Sequence, residues 1–192
     1  MRILAALLCV GLASCVSPIA RVHNATVLLG MDDGTCSGTV IGPHAILTAE
    51  HCLTGTKNLA VDSVPVEVLR VELDHRDHAI VRVTATYTHW VEVRPDVYQG
   101  EEVFNLGNPG RLRDMYRHGY VSGYAVINGQ TLYVIDYNGY FGDSGSGLFS
   151  MDGQLVAVTS VLDLQISPNG FMKVMGAFPL MFTKTQFDEA GR

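Results

Sequence analysis

Gly142-Asp143-Ser144-Gly145-Ser146-Gly147 sets a serine in a glycine-rich turn, where neighbouring backbone N–H groups are free to face a ligand. Two earlier segments hold what a serine hydroxyl needs. Ile46-Leu47-Thr48-Ala49-Glu50-His51-Cys52 places an imidazole beside a cysteine, and Asp77-His78-Ala79-Ile80-Val81 places a carboxylate at the head of an apolar run. A hydroxyl is a poor nucleophile until a base takes its proton, and an imidazole base needs a carboxylate to hold its tautomer. The chemistry expected is acyl transfer, with Ser144 as nucleophile, His51 as base and Asp77 as orienter. The backbone N–H groups of Gly142 and Ser144 would receive the oxyanion of a tetrahedral intermediate.

Chain order separates the folds that use such a set. All 7 histidines precede Ser144, which excludes the Ser, Asp, His order of α/β-hydrolases. The Gly-x-Ser-x-Gly elbow fails as well, because Ser146 stands two positions after Ser144. The order Asp, His, Ser could start from Asp32 or Asp33, but that arrangement belongs to a longer, helix-rich fold. His51, Asp77, Ser144 remains, with Asp74 as the competing carboxylate. His75 and His78 flank Asp77 without a His-Glu-x-x-His pattern or a cysteine cluster, so both are read as solvent-exposed and no metal site is expected.

The elements that must position these groups are strands. From about residue 22 onward, short runs rich in Val, Ile, Thr and Tyr are punctuated by Gly and Asp. Val64, Val66 and Val68 form one apolar alternation, which then flips to Leu69, Val71 and Leu73, the pattern of a bulge or barrel corner. Asn128-Gly129 and Asp152-Gly153 each predict a two-residue hairpin turn with positive φ. Thr84 to Pro95 reads as the connection between an N-terminal and a C-terminal β unit, and only Met181 to Arg192 suggests a short helix.

Composition narrows the function classes. Lys+Arg 13 against Asp+Glu 19 leaves a net charge of −6, so there is no basic field for a phosphate backbone and no nucleic-acid partner is expected. No run of eighteen or more apolar residues exists, which excludes a polytopic membrane protein.

Residues 1–14 read as an export signal: Arg2, an apolar stretch from Ile3 to Val10, then small residues. Leu12-Ala13-Ser14-Cys15 has the form of a bacterial lipobox, with Cys15 lipidated as the mature N-terminus. The expected location is therefore the cell envelope, through a lipid anchor, or the exterior. Val16 after Cys15 is compatible with outer-membrane sorting, and the short signal suits a bacterial or phage gene. Of 4 cysteines, Cys9 leaves with the signal and Cys15 is capped by lipid, so Cys36 and Cys52 are left to pair. Closing that loop is worth about 3 kcal/mol in the chain-entropy model.

Taken together, Cys36-Ser37-Gly38-Thr39, Thr48-Ala49-Glu50-His51-Cys52, Asp77-His78-Ala79-Ile80-Val81 and Gly142-Asp143-Ser144-Gly145 resemble the trypsin-like (chymotrypsin-fold) serine peptidases, especially short bacterial members. Gly107-Asn108-Pro109 and Gly119-Tyr120-Val121-Ser122-Gly123 are similar to stretches of HtrA-like proteases, and no PDZ domain is expected beside them. The resemblance implies an all-β fold of two six-stranded antiparallel Greek-key barrels with the site in the cleft between them. Barrel one would span about 22–83, the linker 84–97, barrel two 98–180 and the tail 181–192. It also implies an endopeptidase acting on protein or peptide through His51, Asp77 and Ser144, without a cofactor. Asp77 is preferred to Asp74 because the apolar run after it continues the family pattern.

Departures from the family are Glu50 for alanine, Ser146 for the second glycine and Gly147 for a common proline. Asn138, six before the serine, would lie at the base of the S1 pocket, where an aspartate would draw Lys or Arg. Ser160-Val161-Leu162 aligns with the substrate-binding strand, and Leu162 in place of glycine implies small apolar P1 residues. Many members pair the aspartate before the serine with a new N-terminus; Val22-His23-Asn24 does not resemble one, so Asp143 is expected to be held by Arg111, Arg113 or Arg117.

Overall fold

The computed structural model describes residues 17–161, 164–167, 170–172 and 175–192. The export signal and Cys15 lie outside them, as does Leu162. The first element among the described residues is a helix, α1 (Pro18–Ala25), where the sequence reading began a strand region at residue 22. Ser17 caps it by accepting the Ala20 N–H, and Pro18 occupies the first turn, where its missing N–H costs nothing.

Strands then follow: β1 (Thr26–Met31), β2 (Gly34–Gly42), β3 (Ala45–Ala49), β4 (Leu59–Val61), β5 (Val64–Val66), β6 (Val68–Leu73) and β7 (His78–Val83). They form one antiparallel sheet in the order β5-β4-β1-β2-β3-β7-β6. Its two outer strands, β5 and β6, are consecutive in the chain, separated by Glu67 alone, so the sheet curls until its edges join covalently. Counted as one bent strand, they complete a six-stave barrel.

The corner falls where the alternation flips, with a bulge between Val68 and Arg70. The sequence pattern left open which face turns inward. Leu69, Val71 and Leu73 face solvent, and the side chain turned inward is that of Glu72, 3.6 Å from Arg82. A period of two fixes which residues share a face, but not which face is inside.

Residues 84–101 connect the halves with one bridge, Val93 to Leu155. The second set is β8 (Glu102–Gly107), β9 (Met115–Ile127), β10 (Gln130–Ile135), β11 (Gly147–Ser150), β12 (Leu155–Val161), β13 (Leu164–Ser167), β14 (Gly170–Met172) and β15 (Met175–Phe178). Six of them close a barrel in the order β10-β15-β12-β11-β8-β9, and β13 pairs with β14 apart from it. A helix, α2 (Lys184–Ala190), ends the chain behind a Thr183–Gln186 capping box.

Asn128 (φ 50°) and Gly129 (φ 77°) make the two-residue turn between β9 and β10. At Asp152-Gly153 only Gly153 has positive φ, and Ser150 donates to the Gln154 carbonyl, so that loop holds three residues, not two. One apolar core runs from Leu29, Ile46, Leu47 and Ile80 of the first barrel into Phe104, Phe149 and Leu155 of the second. This shared core fixes the two barrels against each other, which matters because the candidate site draws on both.

Candidate active site

β3 ends at Ala49 and the chain tightens into a 3-10 turn over Glu50–Leu53 that carries His51. Cys52 in this turn is bonded to Cys36 of β2, with Cα atoms 6.2 Å apart. The cysteines flanking His51 are thus a disulfide and present no thiolates to a metal. Across from the turn, the loop before β7 presents Asp77. His51 Nδ1 lies 2.9 and 2.8 Å from the two carboxylate oxygens, the His51 backbone N–H donates to Oδ1 (3.0 Å), and the Glu50 N–H donates to the Asp77 carbonyl (2.9 Å). A carboxylate only accepts, so Nδ1 carries the proton and Nε2 keeps a free lone pair. The hydrogen bond with Asp77 raises the His51 pKa above its ordinary value, against partial burial, which lowers it. Glu50 acts here through its backbone; its side chain makes no hydrogen bond among the described residues.

Asp74, the competing carboxylate, is turned away from His51. Its side chain, with no exposed surface, bonds to His78 Nδ1 (2.7 Å) and accepts the N–H groups of Arg76 and Met181. Burial alone would raise its pKa, but those bonds and the His78 partner together hold it below the usual carboxylate range. His78 is therefore fully buried and not solvent-exposed as the sequence suggested, while His75 is exposed. β7, between β3 and β6, is buried on both faces from its first residue, His78; Asp74 satisfies one ring nitrogen there, and Nε2 has no partner among the described residues.

Ser144 comes from the turn between β10 and β11. Gly142 (φ 99°) and Gly145 (φ 81°) both adopt left-handed backbone, and a Cβ at Gly142 would lie 2.9 Å from the Gly110 nitrogen. Only glycine fits both conformations without strain. The turn is tied to the first barrel by Ser37, whose N–H donates to the Ser144 carbonyl (2.8 Å) and whose hydroxyl donates to the Gly142 carbonyl (2.9 Å). Within the turn, the amides of Asp143, Gly145 and Ser146 donate to Tyr140, Thr159 and Asp143 carbonyls. Those of Gly142 and Ser144 have no backbone acceptor among the described residues.

Asp143 has no exposed surface and is gripped by Arg117 of β9, whose guanidinium meets both carboxylate oxygens, Nη1 to Oδ2 at 2.8 Å. Of the three candidate arginines, this one holds it; Arg113 instead pairs with Asp62. The rings of Tyr137 and Tyr140 flank the guanidinium, 5.9 and 5.8 Å from its centre.

His51 and Ser144 line one cleft of about 770 Å3, together with Cys36, Phe141, Gly142 and Ser160. No hydrogen bond joins the Ser144 hydroxyl to His51; catalytic hydrogen bonds of this kind often tighten only in the complex with substrate. Ser160 sits in the cleft, and its hydroxyl has no hydrogen-bond partner among the described residues. Asn138 is exposed and outside the lining, and Val161 ends β12.

The sequence profile of the family described as "Trypsin-like peptidase domain" matches residues 36–158, well over half of the chain. The chain belongs to this family.

The trypsin-like fold is shared with solved structures. The Mycobacterium tuberculosis protease Rv3671c is similar in an inactive mutant form, at 19% identity and a TM-score of 0.70 over 86% of this chain and 85% of that one. Its active form gives 18% identity and a TM-score of 0.69, over 84% and 78%. A serine endoprotease from Yersinia pestis gives 21% and 0.69, over 84% of this chain and 61% of that one. Membership makes this chain a trypsin-like serine peptidase, with protein or peptide as its class of substrate.

In the cleft lining, sequence reasoning missed Phe141, which is 89% exposed. An aromatic ring directly before Gly142-Asp143-Ser144 was the available signal. Ser37 and Asn105 were missed too, since their roles depend on contacts far apart in the chain.

Proposed function

We propose that this trypsin-like peptidase is an exported endopeptidase that cleaves through His51, Asp77 and Ser144. The supporting observation is the pairing of His51 Nδ1 with Asp77 in a turn that shares its cleft with Ser144. Nε2 of His51 takes the Ser144 proton as Oγ attacks the scissile carbonyl, and the oxyanion is received by the free N–H groups of Gly142 and Ser144. The imidazolium then gives its proton to the departing amine. Water, activated by the same nitrogen, releases the acyl group. No cofactor enters this sequence.

Asp143 is held by Arg117, so the nucleophile turn is formed without a processed N-terminus. Activity that arose only after cleavage behind Arg21 would refute that reading. We assign P1 to small apolar residues, from Leu162 after Ser160-Val161; Asn138, outside the cleft lining, does not enter this argument. A profile dominated by Lys, Arg or Glu at P1 would overturn it. Export follows from residues 1–14, and lipidation of Cys15 would tether the enzyme at the envelope. Cys15→Ser should then move the protein from the membrane to the soluble fraction.

The deciding test is labelling by a fluorophosphonate probe, beside Ser144→Ala and His51→Ala controls. Labelling lost in both is the expected result. The lack of a hydrogen bond between the Ser144 hydroxyl and His51 favours one rival reading, a catalytically impaired peptide-binding module on the same fold, and a folded wild type that stays unlabelled would select it.

A further inference from the structure

Ser146 stands where the family has glycine, and it is fully buried. A buried hydroxyl needs partners, and here it has two. It accepts from Asn105 Nδ2 (2.7 Å) and donates to Thr159 Oγ1 (3.2 Å). Asn105, on β8 and also fully buried, sends its other amide hydrogen to the Gly147 carbonyl (2.9 Å) and accepts from Arg117 Nη2 on its oxygen (2.7 Å). The orientation of this amide is unambiguous, because a guanidinium can only donate; flipping the group would set N–H against N–H.

One carboxamide thus joins both flanks of the nucleophile. Upstream it orients the Arg117 guanidinium that grips Asp143, and downstream it holds Ser146 and Gly147. Thr159 completes the downstream grip, its N–H on the Ser146 carbonyl (2.9 Å) and its own carbonyl accepting from Gly145 (2.8 Å). Glycine at 146 would leave Asn105 Nδ2 short of one acceptor in a site closed to water.

We propose that Asn105, acting through Arg117 and Ser146, is a positioning residue that holds the backbone of the nucleophile turn in the geometry that presents the Gly142 and Ser144 N–H groups. The proposal rests on the catalytic reading above. Asn105→Asp keeps the shape but cannot donate to Ser146 or Gly147, and its carboxylate competes with Asp143 for Arg117. Ser146→Gly removes the hydroxyl alone, and serves if Asn105→Asp does not fold.

The test measures the rate constant and stoichiometry of fluorophosphonate labelling, and amide hydrogen exchange over 139–146 in a Ser144→Ala background. The expected result is labelling slowed by about tenfold or more at unchanged stoichiometry, as for weakened oxyanion donors. Exchange should be faster over 139–146 and unchanged in β6 and β7. A loss of stoichiometry with the rate constant intact would show a merely structural role and overturn the proposal, as would unchanged exchange over 139–146. If the wild type is not labelled at all, the catalytic reading fails. Exchange then decides by itself: acceleration confined to 139–146 supports the anchoring role, and none refutes it.

Discussion

Replacing Arg117 with methionine removes one partner of a buried ion pair and leaves the other in place. Asp143 has no exposed side-chain surface and Arg117 only 11%, so solvent cannot make good the loss. The Tyr140 N–H (2.7 Å) would be the remaining donor to the carboxylate. Truncating one member of such a pair costs about 3–5 kcal/mol, a large share of a total of about 5–15. For a chain of this size the midpoint of thermal unfolding should fall by about 10 °C at pH 7.

The pH dependence gives a sharper check. Burial already raises the Asp143 pKa, with Arg117 opposing it. Without Arg117 it rises further. A carboxyl whose folded-state pKa is raised contributes stability at low pH that is lost as pH rises through that value. The deficit of Arg117→Met relative to wild type should therefore be full at pH 7 and shrink toward about pH 4. Adding Asp143→Asn should recover part of the loss. Thermal unfolding followed by circular dichroism at both pH values measures all of this. A deficit under about 2 °C at pH 7, or one equal at the two pH values, would refute the pairing as the anchor of the turn.

The raised His51 pKa means that the neutral base is reached only above the ordinary histidine value, so the acid limb of fluorophosphonate labelling should lie above pH 6.5; Asp77→Asn should shift the His51 titration, followed by NMR, downward. Asp77→Ala should abolish labelling with the fold intact. Asp74→Ala, by leaving His78 and the Arg76 and Met181 amides unpartnered in a buried site, should lower the unfolding midpoint while folded molecules still label; the opposite outcome would exchange the two roles. Reducing the Cys36–Cys52 bond should cost about 3 kcal/mol and lower the midpoint by several degrees, and a reduced protein as stable as the oxidised one would contradict the constraint on the His51 turn.

Much of the site is local and therefore legible. Residues beside Ser144, the Asn128-Gly129 turn and the pairing of the last two cysteines depend on neighbours in sequence or on counting. The corner at Glu67 was also signalled, by a change of phase. What the pattern left open was direction: Leu69, Val71 and Leu73 share a face, yet that face is the outer one. His78 beside Asp77 looked like a polar surface residue until the register of β7 against β3 and β6 placed it inside, opposite Asp74.

By itself, the sequence determined the chemical inventory, its order along the chain and the strand-rich framework, because side-chain type, spacing and turn preference are properties of short segments. Only the tertiary structure decided which aspartate meets His51, which arginine holds Asp143, and that Asn105 and Ser37 reach the nucleophile turn. Those contacts join residues 26 to 105 positions apart, and strand register and barrel closure, which no short segment encodes, bring them within hydrogen-bonding distance.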